Sequence, residues 1–503
     1  MGFCTVLSAS VRGMNADIIK VEADVTNGLP EFLMVGYLSS EVKEASDRVK
    51  AAISNSGLEF PVRNVIVNLS PVSIRKTGAV FDLSIAVAVI SAAGQIKQEA
   101  TTNVLFAGEL GLNGEIRGVK GILPIVLKAR EEGINKCFVP EENVKEASLA
   151  ENIKIVGVNN LKDTVLMLQG KKKIIYADRY ELESCDVTEP EIDFKDICGQ
   201  KAVKRAAEIA VAGGHNILIS GPPGSGKSMI AKAMAGIFPP MDMDEIFEVT
   251  KIYSVAGLLG ENKPCISERP FRPVHHTTTN AAIAGGGRNP SPGEVSLSHK
   301  GILFLDELPE FKKEVIEVLR EPLEEHSILI SRNNGSYVFP SDFMLVAAMN
   351  PCPCGYYPDR NKCKCTTSEI EKYNKKLSGP FLDRIDICIQ SKKIDYKMLT
   401  GTEIEESSAT IKKRIEASRL IQKRRYKDET YCINGRIKSS AIKRYCSLGE
   451  EEESFMESVY ESLGMTARSY HKVLKVARTI ADLAGDENIN KDHLMEAMAY
   501  SRF

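Results

Sequence analysis

The chain lacks several features that would assign it to a special class of protein. No apolar run is long enough to span a membrane, and the first residues lack a basic segment followed by a hydrophobic stretch. Positive charge is not in excess, because the net charge is -2, so there is no global attraction to nucleic acid. Internal repeats and low-complexity segments are also absent. We therefore expect a cytoplasmic protein with no membrane partner, in which any contact with nucleic acid comes from local patches.

The composition is that of an ordinary globular protein. Hydrophobic residues make up 43% of the chain and charged residues 26%, which excludes a disordered or fibrous protein. A chain of 503 residues is long enough for roughly two to four domains, each with its own core.

An eight-residue segment matches the phosphate-binding loop G-x-x-x-x-G-K-[ST]. It follows the apolar run 216–220, which predicts a buried strand, and a helix is expected to begin near Gly226. A glycine-rich turn directs backbone N–H groups at a phosphate chain, and the positive end of the helix dipole lies beneath the same anion. Lys227 would bind the β- and γ-phosphates of ATP, and Ser228 would bind Mg²⁺. The predicted nucleotide-binding residues are Gly221, Pro222, Pro223, Gly224, Ser225, Gly226, Lys227 and Ser228.

Two adjacent carboxylates, Asp306 and Glu307, follow the apolar segment 301–305. A strand that is buried on both faces is apolar without alternation, and its carboxyl end opens on the ligand crevice of a parallel sheet. Asp306 is therefore predicted to bind Mg²⁺ and Glu307 to act as the general base that polarises the attacking water. One acid alone would be explained as a cap of the next helix, predicted over 310–319. That alternative does not explain the pair together with the phosphate loop.

Two further polar residues follow apolar segments. Asn350 ends the predicted strand 343–349, where an amide can orient the lytic water, and Arg384 follows a short apolar turn. A lone arginine is most often a solvated surface charge. What distinguishes Arg384 is its place in the order of phosphate loop, acidic strand end, asparagine strand end and arginine.

This order resembles that of the AAA+ ATPases, in the clade that contains magnesium chelatase subunit I and the MCM helicases. The segments 269–277, 285–299 and 463–483 are similar to signatures of the magnesium-chelatase-like ComM/YifB family, and the resemblance covers essentially the whole chain. It implies that Arg384 is an arginine finger supplied to a neighbouring subunit, in a ring expected to be a homohexamer. It also implies that Arg468 begins a lid helix as the second sensor of the γ-phosphate, the alternative being an ordinary arginine at a helix start.

The same resemblance implies a domain organisation. Residues 1–170 carry no nucleotide signature, alternate predicted strands and helices, and would form an α+β domain with the fold of the Lon protease. Its nucleophile and lysine positions fall at Val80 and near Leu123, so we expect a proteolytically inactive scaffold. The rest of the predicted organisation is a linker at 171–190, an α/β P-loop ATPase core at 191–395 and a helical lid at 396–503, with helices over 403–426, 437–447, 450–462, 466–484 and 490–500.

Four of the twelve cysteines form two C-x-C pairs, Cys352 with Cys354 and Cys363 with Cys365, separated by a turn-rich loop. A hairpin with a pair at each end can bring four thiolates to one point, as tetrahedral Zn²⁺ requires. C-x-C is tighter than the usual C-x-x-C, so reduced thiols on a mobile loop and redox sensing are the alternatives to the predicted zinc site.

Two segments are candidates for contact with DNA. The first is a hairpin over 328–340 with a turn at Asn334 and Gly335, in which Arg332 would meet phosphate and Tyr337 would stack on a base. In related ring helicases a hairpin at this place projects into the central pore. The second is the predicted helix 403–426, whose seven lysines and arginines are explained equally well by a solvated helix face.

The resemblance implies a ring-forming AAA+ ATPase that couples ATP hydrolysis to translocation on DNA, as in branch migration during recombination or natural transformation. One alternative is a magnesium-chelatase motor that acts on a tetrapyrrole through protein partners, and we expect no tetrapyrrole because that motor subunit lacks the Lon-like domain. The other alternative is a Lon-like regulator whose ATPase does not respond to DNA. The residues by themselves support only the ATPase.

Overall fold

The computed structural model describes residues 2–180, 191–260, 263–287, 290–332, 335–393 and 405–501. Within these residues the strands form two large sheets, the first from residues 2–158 and the second from residues 217–390. Three predicted features lie outside the described residues, namely the second half of the linker, the start of the lid at 396 and Asn334 of the hairpin turn. Among the described residues, no helix is both long enough and apolar enough to cross a membrane.

The first sheet mixes antiparallel and parallel strands. The strands of this region are β1 Gly2–Arg12, β2 Asn15–Thr26, β3 Glu31–Val35, β4 Asn64–Ser70, β5 Val104–Phe106, β6 Glu109–Leu110, β7 Ile116–Arg117, β8 Lys136–Pro140 and β9 Lys154–Val158. Seven of them form a sheet in the order β3-β4-β2-β1-β5-β8-β9, and β6 pairs with β7. β2 is antiparallel to β1 and β4, whereas the other neighbours are parallel. Every second residue of β4 is buried, as expected when one face covers a core.

The helix Asp82–Ala92 is the centre of the first region, because all of its side chains are buried. Its one carboxylate, Asp82, accepts two hydrogen bonds from Arg48, at 2.9 and 3.0 Å, which compensates the charge in the core. The other helices of this region are Ser40–Lys43, Ala45–Asn55, Ile122–Glu131, Val144–Ala147 and Leu161–Leu168. Val80 and Leu123 are both buried apolar residues, and neither side chain can serve as a nucleophile or a base.

The second sheet is entirely parallel. The strands of this region are β10 Ile217–Ser220, β11 Phe271–Val274, β12 Gly285–Gly286, β13 Ser291–Pro292, β14 Ile302–Leu305, β15 Ser327–Arg332, β16 Gly335–Pro340, β17 Met344–Met349 and β18 Ile387–Gln390. Five of them form the sheet, in the order β11-β14-β17-β10-β18, and β14 and β17 are buried along their whole length. The predicted α/β core with a parallel sheet is therefore confirmed. Since β10 lies between two strands that come later in the chain, its carboxyl end is the expected ligand-binding crevice.

Helices surround this sheet and continue to the end of the described chain. Those associated with the sheet are Lys201–Gly213, Lys227–Gly236, Met243–Ala256, Asn280–Ala284, Glu294–Leu297, Lys313–Val318, Arg320–Glu325, Thr367–Asn374 and Gly379–Leu382. The C-terminal helices are Ser408–Arg425, Ile442–Tyr445, Glu450–Ser462, Ala467–Ala484 and Lys491–Ala499. The helix Ala467–Ala484 begins after Thr466, whose side chain caps it, ends at Gly485 with a φ of 82°, and buries one face against its neighbours.

Two predicted helices are shorter than expected, each for a local reason. The segment 310–319 is split into a 3-10 turn, Leu308–Glu310, and the helix Lys313–Val318, because Phe311 is extended and buries its ring in the core. The segment 437–447 is helical only at Ile442–Tyr445, after a 3-10 turn that contains two serines. Serine side chains compete with the helix for backbone hydrogen bonds, which favours a turn.

The helix Ser408–Arg425 does not present a continuous basic face. Arg414 pairs with Glu208 at 2.6 Å, Arg425 pairs with Asp482 at 2.5 Å, and Arg419 donates to a backbone carbonyl at 2.6 Å. These arginines hold the helix to the rest of the protein, so neither of the two alternatives for the whole run, a phosphate contact or a solvated helix face, describes them.

Candidate functional site

The five parallel strands end along one edge of the second sheet, and four of them continue into a residue with a polar side chain. Gly221 opens the glycine-rich loop after β10, and the corresponding residues after the other strands are His275, Asp306, Asn350 and Ser391. Because the strands are parallel, their carboxyl ends must lie side by side. The chain therefore gathers a loop, an acid, an amide and a histidine at what we call the carboxyl edge.

The loop between β10 and the helix Lys227–Gly236 has the backbone shape needed to surround an anion. Gly224 and Gly226 have φ of 72° and 82°, a left-handed conformation that costs other L-residues about 1–2 kcal/mol. Lys227 Nζ donates to the carbonyl oxygens of Gly221 at 2.7 Å and Pro222 at 3.0 Å. Burial lowers the pKa of Lys227, although nearby carboxylates act in the opposite direction. The ammonium group is thus held on the loop itself, next to the backbone that would hold a phosphate.

The loop is joined to the acidic strand end by a direct hydrogen bond. Ser228 Oγ donates to Asp306 Oδ2 at 2.8 Å, and the Glu307 N–H donates to Asp306 Oδ1 at 2.9 Å. The two oxygens of Ser228 and Asp306 form a hard donor pair of the kind that Mg²⁺ prefers. Glu307 has a left-handed φ of 51°, and its carboxylate is exposed, so water has access to it.

Sequence reasoning missed the histidine of this edge. His276 Nδ1 lies 3.5 Å from Glu307 Oε2, and its ring packs edge-on against Phe311. The preceding strand β11 contains a proline and has a single buried residue, Val274, so its sequence does not have the pattern of an interior strand. The signal that was available is the pair His275-His276 directly after that segment, within a stretch already recognised as similar to a family signature.

Asn350 connects the loop to the cysteine hairpin. Its Oδ1 accepts a hydrogen bond from Lys227 Nζ at 3.2 Å, and the hairpin begins two residues later. Gly355 in the hairpin lies against the phosphate loop, because a Cβ atom at Gly355 would be 2.7 Å from Pro223 Cδ. A displacement of the hairpin would therefore be transmitted to both Asn350 and the loop.

The four cysteines of the hairpin converge on one point. Their Sγ atoms all lie within 4.8 Å of one another, and the contacts among Cys352, Cys354 and Cys363 are 3.3, 3.7 and 3.6 Å. Cys352 and Cys363 are buried, and Cys354 and Cys365 are half-buried. This tetrad is a cluster that could bind a metal ion.

Arg384 and Arg468 lie at the other end of the strands. The Arg384 carbonyl accepts a hydrogen bond from Asn216 Nδ2 at 2.8 Å, and Asn216 directly precedes β10. Arg384 and Arg468 both form salt bridges with Glu324, with distances from Nη2 to Oε1 of 2.6 and 2.5 Å, respectively. Burial alone would raise the pKa of Glu324, but the two guanidinium groups outweigh it and lower this pKa. We call this end of the sheet the amino edge. Glu324 is a residue of this edge that the sequence analysis did not identify.

The hairpin formed by β15 and β16 presents only part of the predicted surface. Arg332 is exposed, as are the apolar side chains of Leu329 and Val338. Tyr337 is half-buried, and its ring rests against Gly13, where a Cβ atom would be 3.3 Å from Tyr337 Cδ1. The tyrosine therefore contacts the first region, and stacking of its ring on a base stays a prediction.

Comparison with known proteins yields matches along nearly the whole chain. Three family models match, namely magnesium chelatase subunit ChlI over residues 193–399, subunit ChlI of Mg-chelatase over 21–143 and the ChlI C-terminal model over 405–501. The chain is 39% identical to the uncharacterized protein YifB of Salmonella typhimurium and 38% identical to the competence protein ComM of Haemophilus influenzae, in each case over 99% of this chain and 97% of the relative.

Similarity to a chelatase subunit that bears that name is more limited. The magnesium-chelatase 67 kDa subunit of Chlorobaculum parvum is 28% identical over 32% of this chain and 23% of its own length. A ChlI model nevertheless matches residues 21–143. We had expected the first region to separate this chain from chelatase subunits, and this match shows that its presence alone does not. The separation comes from the full-length identity to the other two proteins.

Proposed function

The chain belongs to the ComM/YifB family of magnesium-chelatase-like AAA+ proteins, and from this membership we propose that it is a ring-forming ATPase that moves along DNA. The observation that carries the ATPase is the hydrogen bond between Ser228 and Asp306, which joins a phosphate loop to an acidic strand end. Similarity in sequence supports the family, and the chemistry of the site supports the reaction.

Each residue of the carboxyl edge has a separate role in the proposed hydrolysis of ATP. Ser228 and Asp306 would hold Mg²⁺, which would neutralise charge on the phosphates of ATP. Lys227 transfers its hydrogen bonds from the loop carbonyls to the phosphate oxygens. Glu307 accepts the proton of the attacking water, while Asn350 orients that water and His276 holds the Glu307 carboxylate in place.

The position of Arg384 and Arg468 supports an assembly in which one subunit completes the site of the next. Both arginines lie at the amino edge, away from the phosphate loop of their own chain, and Glu324 holds them at one point. Charge that develops on a γ-phosphate is stabilised by guanidinium groups supplied across an interface. A head-to-tail contact between the amino edge of one subunit and the carboxyl edge of the next closes into a ring, for which we propose six subunits.

Movement along DNA is the finer part of the proposal. It is supported by the likeness to a protein named for competence and by the exposed hairpin, where Arg332 is available to a phosphate group. The first region, for which we keep the proposal of an inactive Lon-like fold, would serve as a scaffold for the ring.

The test of the proposed function is ATP hydrolysis measured without DNA and with single-stranded, duplex and branched DNA. We expect DNA to stimulate turnover, and we expect Arg332→Ala to reduce the stimulation while hydrolysis without DNA is retained. Lys375→Ala, which removes an exposed cation that pairs with Glu371 on the surface, is the matched control. Turnover that is equal with and without every DNA would contradict movement on DNA and favour a regulator that acts on protein partners.

For the cysteine tetrad we propose Zn²⁺ as the metal. Tetrahedral Zn²⁺ has Zn–S bonds of about 2.3 Å, which place the sulfur atoms roughly 3.8 Å apart. The observed separations of 3.3 to 3.7 Å among three of the sulfurs are close to that value. Zinc, when bound, would fix the hairpin and thereby the positions of Asn350 and Pro223.

A further inference from the structure

The carboxylate of Asp342 joins three parts of the chain. Asp342 follows the hairpin of β15 and β16, since β16 ends at Pro340. Its Oδ1 accepts two hydrogen bonds from Arg436, from Nη2 at 2.8 Å and from Nε at 3.2 Å. Its Oδ2 accepts one from Lys300 Nζ at 3.1 Å. We call these three side chains the junction, because they connect the hairpin to the C-terminal helices and to the segment before β14.

The junction lies at the end of the hairpin that is anchored in the protein. At this end the Ser341 N–H donates to the His326 carbonyl at 2.8 Å. Ile328 and Phe339, which are paired in the hairpin register, are both buried. Arg332 lies at the opposite end and is exposed. A displacement of the junction would therefore displace the exposed end that carries Arg332.

Arg436 is fixed to the helix Ala467–Ala484. It ends the 3-10 turn Asn434–Arg436, whose first residue is buried. The side-chain amide of that first residue donates to Thr479 Oγ1 at 3.1 Å and to Asp482 Oδ2 at 2.8 Å, and both acceptors lie on the helix. A movement of the helix would therefore move Arg436.

Lys300 connects the junction to the strand that ends at the two acids of the carboxyl edge. It is followed by Gly301 and by β14, after which come Asp306 and Glu307. The Lys300 N–H donates to the Asp342 carbonyl at 2.6 Å, in addition to the contact between the side chains. The start of β14 is therefore held against the end of the hairpin.

The charges of the junction hold Arg436 and Asp342 together. Burial alone would raise the pKa of Asp342, but Arg436 and Lys300 outweigh it and lower this pKa. The ionised carboxylate is half-buried, so salt screens its attraction to the guanidinium group less than it screens an exposed pair. Separation of such a pair is unfavourable, and we expect the two side chains to move together.

We propose that Asp342 is a positioning residue through which the C-terminal helices set the position of the hairpin. This coupling rests on the proposed function, in which Arg468 senses the γ-phosphate and the hairpin contacts DNA. When nucleotide shifts the helix Ala467–Ala484, the turn with Arg436 moves with it, and Asp342 moves the hairpin and its exposed Arg332. The position of the hairpin then depends on nucleotide without any contact between the two.

The experiment measures hydrogen exchange in the full chain with Glu307→Gln, which should bind ATP and turn it over slowly. ATP with Mg²⁺ should protect the phosphate loop and change the exchange of the backbone amides of β15 and β16. Arg436→Gln, made in this chain, should abolish the change in the hairpin and leave the protection of the loop. Arg436→Lys keeps the charge and should retain part of the response. Arg444→Gln removes an exposed arginine of the same C-terminal region and is the matched control.

ATP turnover in the chain with an intact Glu307 gives a second measurement. In Arg436→Gln, hydrolysis without DNA should be retained, and its stimulation by DNA should fall about fivefold or more, the low end of coupling between sites. Asp342→Asn removes the charge from the other side of the pair and should give the same loss, and the two changes together should lose no more than either alone. Variants are compared at an unchanged thermal unfolding midpoint, and Asp342→Asn provides the test if Arg436→Gln does not fold.

An unchanged response of the hairpin in Arg436→Gln, with the phosphate loop protected by ATP, would overturn the coupling and leave the proposed ATPase intact. A loss in Arg436→Lys as complete as that in Arg436→Gln would also overturn it, because the charge would then not be the cause. Absence of protection at the phosphate loop of the parent chain would contradict the ATPase and the coupling with it. If the hairpin responds through Arg436 but no DNA stimulates turnover, the coupling is supported and movement along DNA is contradicted.

Discussion

The two edges of the five-stranded sheet are built from the same strands and carry different chemistry. At the carboxyl edge are the phosphate loop, Asp306 and Glu307, whereas the amino edge holds Arg384, Arg468 and the carboxylate of Glu324. β10 has four residues, so the two edges are separated by roughly 13 Å. The acids lie at one edge and the two arginines at the other, and this separation is what leads us to propose that neighbouring subunits complete each other's sites.

The largest expected effect comes from the carboxyl edge. Glu307→Gln keeps the size of the side chain but removes the base, so ATP should still bind while turnover falls by about two to four orders of magnitude. Steady-state hydrolysis and nucleotide binding are measured on the same protein. Glu310→Gln, in the adjacent 3-10 turn, is the matched control, since Glu310 pairs with the surface residue Lys376. Normal turnover in Glu307→Gln would remove this residue from the mechanism.

Turnover lost by a change at the amino edge should be partly restored by a second subunit. Arg384→Ala alone should lose most turnover, because the γ-phosphate of the neighbour lacks its cation. When Arg384→Ala and Glu307→Gln chains are mixed, some interfaces contain both intact residues, and part of the activity should return. Mass measurements must show that the rings are mixed. Rings that are mixed and remain inactive would mean that Arg384 acts within its own chain.

Removal of the metal should affect the carboxyl edge more than the fold. Protein purified without chelators should contain about one zinc per chain, and Cys352→Ser should lower that content. Turnover should fall more than the thermal unfolding midpoint, because Gly355 of the hairpin lies against Pro223 of the phosphate loop. Cys432→Ser, an exposed cysteine outside the tetrad, should leave both quantities unchanged. Protein without zinc would rule out the site and leave four reduced thiols.

The smallest expected effect is a pH dependence at the amino edge. Burial, and after it the positive field of Arg436, lower the pKa of His326 to about 4. An unfolded histidine titrates near pH ~6.5, so protonation favours the unfolded chain and stability is lost as the pH falls from about 6.5 towards 4. His326→Gln should reduce this loss, measured as the thermal unfolding midpoint across that pH range. An equally steep loss in His326→Gln would show that other groups dominate.

Local patterns in the sequence predicted the carboxyl edge well. A phosphate loop is a contiguous segment whose glycines and lysine have fixed spacing, and the acids and Asn350 directly follow apolar strands. The sequence could not predict the partners of these residues in space. His276 follows a proline-containing strand, so the only local signal is the His275-His276 pair itself, and Glu324 lies on a short helix without a local signal. The contact of Tyr337 with Gly13 could not be predicted, because it joins residues that are far apart in the chain.

The sequence by itself determined the family and the parallel α/β core, and it pointed to the residues for which we propose binding of phosphate, magnesium and a soft metal. These depend on residue type and spacing, which are visible along the chain. Only the tertiary structure decided which edge of the sheet each residue occupies. It placed Arg384 and Arg468 on one carboxylate and brought four sulfur atoms within 4.8 Å of one another. The physical reason is that charge pairing and metal geometry are set by distances across the fold, between segments that strand order and helix packing bring together.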